Sequence, residues 1–407
     1  MKPERLDAIV IGAGFCGLSA GAALRANGVE RFAILEQGAE VGHFWSKTYD
    51  RIHLHSPYHG LPNDGGAVQR YPRYKSRDEL IAYFREYAER HQLRPKLRFG
   101  ERVTRVSHRE PAGGSLEWQI RTERGEFESR YVVIATAGNR SPSLPQIPGS
   151  DSFRGRLLHS SAYRNAEPFR GNDVLIVGSG NSAAEISLDL CENGARSVRM
   201  WVRGPRHFLP NSRMGWIFRI ASALGIFSEK KLREAHEIVY GTPEFTAAVR
   251  QRDSLPKRIS VDLSRFGIRM PERGPNEEVL MTGRIPVFDV GAIRAIRRGR
   301  IGVIDGNVRP IEGFTEKGVR FRGGEEPFDA VILATGFEPK LDEFVASPEL
   351  LGIGRWGKLL PVTDRRSRST VHPTAFFPGF DLSVNGGLSL GLFGWEAGEK
   401  IAAELRR

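Results

Sequence analysis

Gly12, Gly14 and Gly17, in the run Gly12-Ala13-Gly14-Phe15-Cys16-Gly17, have the spacing of a loop that binds the pyrophosphate of a dinucleotide. The first glycine permits a tight turn, the second lets the backbone approach the phosphates, and the third lets a helix pack on a strand. Glu36, about twenty residues further on, can accept a ribose hydroxyl, and its charge repels a 2′-phosphate. This loop therefore calls for FAD or NAD. A second run, Gly178-Ser179-Gly180-Asn181-Ser182-Ala183, repeats the pattern, with Arg203 where Glu36 stands in the first unit. An arginine there pairs with a 2′-phosphate and selects NADP over NAD. Two sites of opposite ribose chemistry imply FAD and NADPH in one chain, with hydride passing from nicotinamide to flavin across a cleft.

Each loop needs a strand before it and a helix after it, and the sequence supplies both. An apolar run, Leu6 to Ile11, leads into Gly12, a helical stretch, Leu18 to Ala26, follows, and the strand Phe32 to Leu35 ends at Glu36. The strand Val174 to Val177, the helix Ala184 to Glu192 and the strand Val198 to Val202 repeat the arrangement. Such alternation predicts an α/β protein of two Rossmann-like dinucleotide-binding domains, the second inserted into the first. The first domain takes residues 1–149, closed by the strand Tyr131 to Ala135 and a stiff crossing with Pro142, Pro145 and Pro148, and resumes over 337–407. That return predicts a strand, Phe376 to Phe380, and a final helix from about Leu392; Gly386, Gly387 and Gly391 suit a close approach to the flavin. The second domain takes residues 150–336. It carries a mixed helical insertion at about 208–284, with an amphipathic run Glu229 to Val239, expected to build the substrate roof.

Between the loops lies Phe153-Arg154-Gly155-Arg156-Leu157-Leu158-His159-Ser160-Ser161-Ala162-Tyr163, which fits F-x-G-x-x-x-H-x-x-x-(F/Y/W), the signature of flavin-dependent monooxygenases that use NADPH. Trp45, Thr48-Tyr49-Asp50-Arg51, His53-Leu54-His55, Tyr71-Pro72-Arg73-Tyr74, Leu188-Asp189-Leu190-Cys191 and Pro286-Val287-Phe288-Asp289-Val290-Gly291 extend the likeness. By these motifs the chain resembles the plant YUCCA-type members of that family over most of its length. The A-T-G that usually closes the first unit reads Ala135-Thr136-Ala137-Gly138, whereas the second copy, Ala334-Thr335-Gly336-Phe337, is intact. The resemblance implies a single-component, NADPH-dependent monooxygenase (EC 1.14.13.-) acting through a flavin hydroperoxide that the protein keeps dry. It also implies a 2-oxo acid such as indole-3-pyruvate as substrate, with dioxygen as co-substrate and an arginine in or near the insertion holding the carboxylate.

Because the flavin carries the bond-making, side chains need only position and shield. Among these, Trp45 is a candidate to stack near the flavin, with core burial the alternative. His53 and His55 alternate along an extended run, and His55 is a cofactor-binding candidate beside the reading of a hydrogen-bonded structural histidine. Asn181 and Ser182 join the candidates at the second loop. His159 reads as a hinge or structural histidine.

Composition bounds the rest. The sequence has two cysteines, Cys16 and Cys191, which excludes a disulfide framework, a C-x-x-C metal site and the dithiol chemistry of disulfide reductases. The net charge of +12 raises nucleic acid as a partner, but Arg294/Arg297/Arg298/Arg300 and Arg365/Arg366/Arg368 lack interleaved aromatics and read as solvated faces that draw in anionic NADPH. The apolar stretch Trp216 to Phe227 is too short to span a membrane and carries Arg219, and strand residues begin almost at once, so a cytoplasmic protein is expected. Other functions stay open on sequence alone: N- or S-oxygenation of a soft nucleophile, or a flavoprotein reductase that oxygenates nothing. A nucleotide-binding regulator without turnover is a further reading.

Overall fold

A computed structural model describes residues 3–55, 60–72, 74–109, 117–211, 243–380 and 390–407. The stretches Trp216 to Phe227 and Glu229 to Val239, with Gly386, Gly387 and Arg73, lie outside the described residues.

Two sheets organise the molecule. In the first, the strands run in the order Leu97–Phe99, Phe32–Glu36, Glu4–Ile11, Glu126–Ile134, Glu117–Thr122, Val103–Arg109. Glu4–Ile11 is parallel to both neighbours, with Ala8 opposite Phe32 on one side and Tyr131 on the other. Ala8 to Ile11 are buried without alternation, as expected of a parallel strand covered on both faces. The second sheet is wholly parallel, in the order Gly302–Asp305, Ser197–Val202, Asp173–Val177, Ala330–Leu333, Arg156–His159. After it the chain returns to the first sheet: Ala375–Phe376 pairs in parallel with Glu126–Ile134.

That returning strand is shorter than the apolar run Phe376 to Phe380 predicts. Pro378 has no N–H to offer a ladder, and Gly379 turns to a φ of 89°, so pairing stops at Phe376. Phe377 and Phe380 are buried in the first core instead of continuing the strand.

The final helix, Leu390–Leu405, packs on Phe15–Ala26, the helix that follows the first glycine loop. Small residues set the approach. A Cβ on Gly394 would lie 2.0 Å from the Cys16 carbonyl oxygen, and one on Gly398 would lie 2.5 Å from that of Ala20. Gly391 has a similar role: its Cβ would meet Leu61 at 2.5 Å, and its carbonyl accepts from Ser19 Oγ at 2.5 Å. Its smallness is thus required by protein packing.

Within 208–284, the described part is held by a two-stranded parallel ladder, Phe208–Pro210 with Val287–Asp289, and by the helices Pro243–Ile259 and Pro275–Thr282. Asp253 of the longer helix caps the shorter one, accepting from the N–H groups of Asn276 and Glu277 at 2.9 and 2.8 Å.

Ala137, where the family pattern has glycine, adopts a φ of 56°, and its counterpart Gly336 adopts 90°. A β-carbon makes that left-handed conformation cost about 1–2 kcal/mol, partly offset by the entropy a glycine loses on folding. Ala137→Gly is therefore expected to raise the unfolding free energy by about 0.5–1 kcal/mol in urea titrations. A variant less stable than the parent would contradict this.

Candidate functional site

The two glycine loops are built alike. The first leaves Glu4–Ile11 and opens Phe15–Ala26 with Gly14 at the N-cap; the second leaves Asp173–Val177 and opens Asn181–Glu192 with Gly180 at the N-cap. Gly12 (φ 103°) and Gly178 (φ 140°) are demanded by the fold itself, since a Cβ on them would sit 2.9 Å from the Ala135 oxygen and 2.3 Å from that of Ala334. Gly17 is demanded by packing, with a Cβ only 1.8 Å from the Gly12 oxygen.

Gly14 and Gly180 differ from these. Both have extended backbones that any residue adopts, and a Cβ on either would meet no protein atom within 4 Å. Neither helix start has a side-chain cap or an acidic residue in its first turn. By contrast, Arg77–Arg90 has the full capping box of Ser76 and Glu79 together with Asp78 in its first turn. Two helix ends thus keep their N–H groups and positive dipole open above space that glycine leaves clear, which is the environment a pyrophosphate requires. The residues present fit dinucleotides at both loops.

Glu36 is buried at the end of its strand. Its two carboxylate oxygens accept from the N–H groups of Ala13 and Gly38, each at 2.9 Å. Those bonds fix the carboxylate beside the loop and leave further lone pairs for a ribose diol.

At the second loop the arginines divide. Arg203 stands exposed just past Ser197–Val202, with its carbonyl taken by Asn307 and Arg269. Arg206 reaches the loop: its Nε lies 3.4 Å from Ser179 Oγ and its Nη1 donates to Ile285 O at 3.0 Å. Burial, and then the neighbouring Arg284 cation, bring the Arg206 guanidinium down to about 10. Glu278, 3.4 Å from Arg284, balances part of this positive charge beside the phosphate loop.

The amide of Asn181 is already engaged. Its Nδ2 donates to Pro286 O at 3.0 Å and its Oδ1 accepts from Phe288 N at 2.9 Å. The side chain therefore fastens the 286–288 strand to the loop, and what it offers a ligand is its backbone N–H.

The segment 45–55 joins the two sheets. Trp45 is half-buried, packs against both cores and meets Phe15 of the first loop edge-on at 6.1 Å. Tyr49 OH donates to Glu185 Oε2 at 2.5 Å, and Ser182 also bonds this phenol; burial, then Glu185, push it well above the ordinary tyrosine range. His55 lies between Glu185, with Nε2 3.4 Å from the carboxylate, and Phe288, on which its ring stacks. His53 is exposed, with Nδ1 2.8 Å from the Arg51 carbonyl. Glu185 is only 2% exposed, so Tyr49 and His55 supply the polar surroundings that a buried carboxylate needs. One helical turn on, Tyr163 OH donates to the buried Asp189 at 2.6 Å. This Tyr49–Glu185 and Tyr163–Asp189 pairing was not anticipated from sequence, although Glu185, Asp189 and Glu192 fall on one helix face at helical spacing.

The signature between the loops proves structural in its contacts. Phe153 packs on Phe314, Gly155 lets the chain pass the Asp329 carbonyl, and His159 joins the second sheet to the intact A-T-G-F turn. His159 Nε2 donates to Gly336 O at 3.0 Å while its Nδ1 accepts from Ser161 N at 3.1 Å. Burial lowers the affinity of His159 for a proton, as it does for His91 and His207, each with Nε2 on a backbone carbonyl. The fold thus holds all three neutral. An unfolded histidine protonates near pH 6.5, so stability contributed by these groups is complete above that pH and declines as pH falls through it. The melting temperature is expected to drop between pH 7 and pH 5.5, before carboxylates begin to titrate; a flat or rising profile would contradict this.

Burial disfavours the thiolate at both cysteines. Cys16 is buried, gives its Sγ hydrogen to Leu390 O at 3.0 Å and is pushed up to about 12 by burial; burial also raises Cys191. Among the described residues no helix is long and apolar enough to cross a membrane.

Residues 9–216 match the model of the pyridine nucleotide-disulphide oxidoreductase family. Indole-3-pyruvate monooxygenase YUCCA1 of Oryza sativa subsp. japonica is 36% identical over 350 residues, 83% of this chain and 78% of that protein. The chain belongs to the YUCCA-type flavin monooxygenase family. The probable indole-3-pyruvate monooxygenase YUCCA1 of Arabidopsis thaliana is 33% identical over 405 residues, 98% of this flavin monooxygenase and 89% of that one. A flavin-containing monooxygenase from Stenotrophomonas maltophilia shares the fold with a TM-score of 0.66, at 24% identity over 99% of both chains. OTEMO, solved in complex with FAD and NADP, shares it with a TM-score of 0.72 at 20% identity, over the whole of this chain and 84% of that one. The matched family is named for disulfide chemistry, yet this flavin monooxygenase has only these two cysteines.

Proposed function

We propose that this enzyme is an NADPH-dependent FAD monooxygenase that oxidatively decarboxylates an aromatic 2-oxo acid of the indole-3-pyruvate kind. In this reading residues 1–149 with 337–407 hold FAD, residues 150–336 hold NADPH, and the 208–284 insertion roofs the substrate. The observation that carries it is the pair of uncapped helix ends at Gly14 and Gly180, where glycine has no reason internal to the protein. A flavin held there would supply the hydride-accepting and oxygen-activating chemistry.

The chain's own groups have supporting duties. The N–H groups after Gly14 bind the FAD pyrophosphate, and Glu36 accepts its ribose hydroxyls. Those after Gly180, at Asn181 and Ser182, bind the NADPH pyrophosphate, and Arg206 with Arg203 takes the 2′-phosphate. Trp45, leaning on Phe15, walls the space between the loops against water, and Tyr49 holds Glu185 so that the wall stays in register with the second helix. The substrate class is supported by the relatives named as indole-3-pyruvate monooxygenases.

The test is NADPH consumption and product formation with indole-3-pyruvate, a thioether and a tertiary amine at equal concentrations. Coupled turnover of the 2-oxo acid to the shortened acid is expected. Coupled oxygenation of the thioether or amine, with uncoupled NADPH loss on the 2-oxo acid, would leave a heteroatom monooxygenase and remove the substrate reading.

A further inference from the structure

We propose that His108, Glu349 and His372 form a binding site for a divalent transition-metal ion of the zinc class. The three residues lie far apart in sequence, which is why the cysteine count gave no hint of a metal. They meet at the antiparallel edge of the first sheet, at the strand Val103–Arg109.

One donor atom from each residue falls within 4.8 Å of the other two. His372 Nε2 is 3.2 Å and His108 Nδ1 is 3.6 Å from Glu349 Oε1. A tetrahedral zinc with bonds of about 2.0–2.1 Å has neighbouring ligands about 3.3 Å apart, so these edges need only small adjustment. The imidazole centroids are 4.1 Å apart with planes tilted by 52°, and both rings rest against the buried indole of Trp118, at 5.5 and 5.9 Å. Two imidazoles and one carboxylate suit zinc, nickel, cobalt or copper, not calcium or magnesium, which take oxygen ligands. The carboxylate offsets one of the two positive charges of such an ion.

The ligands are presented by backbone that is already fixed. Val106 exchanges hydrogen bonds with Phe344 O and Ala346 N, at 2.6 and 2.8 Å, which sets the 348–350 turn beside the strand. Ser369 Oγ accepts from the N–H groups of Val371 and His372 and shapes the other turn. Ser347 Oγ, 2.9 Å from His108 Nδ1, orients that ring and can yield the nitrogen to a metal. A bound ion would clamp both turns to the sheet edge just before Ala375–Phe376 enters it, so its role is to secure the returning chain. This site is independent of the flavin and nucleotide readings.

The test uses untagged, full-length protein as purified with its flavin, stripped with EDTA and titrated with zinc chloride by calorimetry. One zinc per chain is expected, with a rise in melting temperature. Copper(II) should quench part of the tryptophan emission through Trp118. The double variant His108→Ala/His372→Ala loses its ring contacts with Trp118 and with them some metal-free stability, and both it and Glu349→Gln, on the more exposed turn, should weaken zinc on the order of 100-fold while remaining folded. Should the double variant fail to fold, Glu349→Gln decides alone. Equal zinc binding by wild type and a folded variant would mean adventitious sites, and no binding by folded wild type would mean no site; either overturns the proposal.

Discussion

Gly14→Val is expected to give a folded but colourless protein. The backbone there is extended, at φ −97° and ψ −158°, with no positive φ to strain a side chain, and a Cβ would touch no protein atom within 4 Å. The Phe15–Ala26 helix and its packing against Leu390–Leu405 should persist. What the isopropyl group occupies is the approach to the uncapped N–H groups. Losing two charge-assisted hydrogen bonds of about 2 kcal/mol each lowers FAD affinity on the order of 1000-fold. Flavin absorbance per protein, read beside circular dichroism and the melting temperature, checks this. Gly17→Val is the contrast, because its Cβ collides with the Gly12 carbonyl and the fold itself should fail. Normal flavin content in folded Gly14→Val would remove FAD from this loop.

Arg206→Ala should raise the KM for NADPH about 30-fold, the equivalent of about 2 kcal/mol for a charged hydrogen bond, and leave NADH nearly unchanged. The guanidinium already rests on Ser179 of the second loop, with the Arg284 cation as a neighbour. Because the side chain also donates to Ile285 O, folding of the unliganded variant is checked by its melting temperature. Arg203→Ala is the paired measurement. Arg203 holds the sequence position that selects NADP, but it stands exposed, and a smaller loss is expected there. An unchanged ratio of NADPH to NADH efficiency in both variants would show that neither reads the 2′-phosphate.

Both loops were legible because their signal is local: strand, glycine turn and helix follow one another within about thirty residues, and the glycines declare the turn. Glu36 was legible for the same reason. The polar bridges were not, because they pair residues that only the fold brings together. Tyr49 and Glu185 are examples, and so are Asn181 and the 286–288 strand. Those last two motifs were read from sequence as separate elements of one likeness, and the amide of Asn181 shows that they are one physical unit. Gly391 has a packing reason that the sequence does not show, because only the fold brings Leu61 against it. The returning strand was overextended because apolar content persists through Phe380, while the proline and the left-handed glycine that end it outweigh hydrophobicity.

The central claim, an oxygenating flavoprotein fed by NADPH, is tested most directly with isotopic dioxygen. Enzyme, NADPH and indole-3-pyruvate are incubated under ¹⁸O₂, and the acid product is analysed by mass spectrometry. One ¹⁸O atom per product molecule, in step with NADPH consumed, is the predicted result. Oxidation of NADPH that yields only reduced oxygen species, with no label in any organic product from the 2-oxo acid, thioether or amine, would contradict the account and leave a reductase.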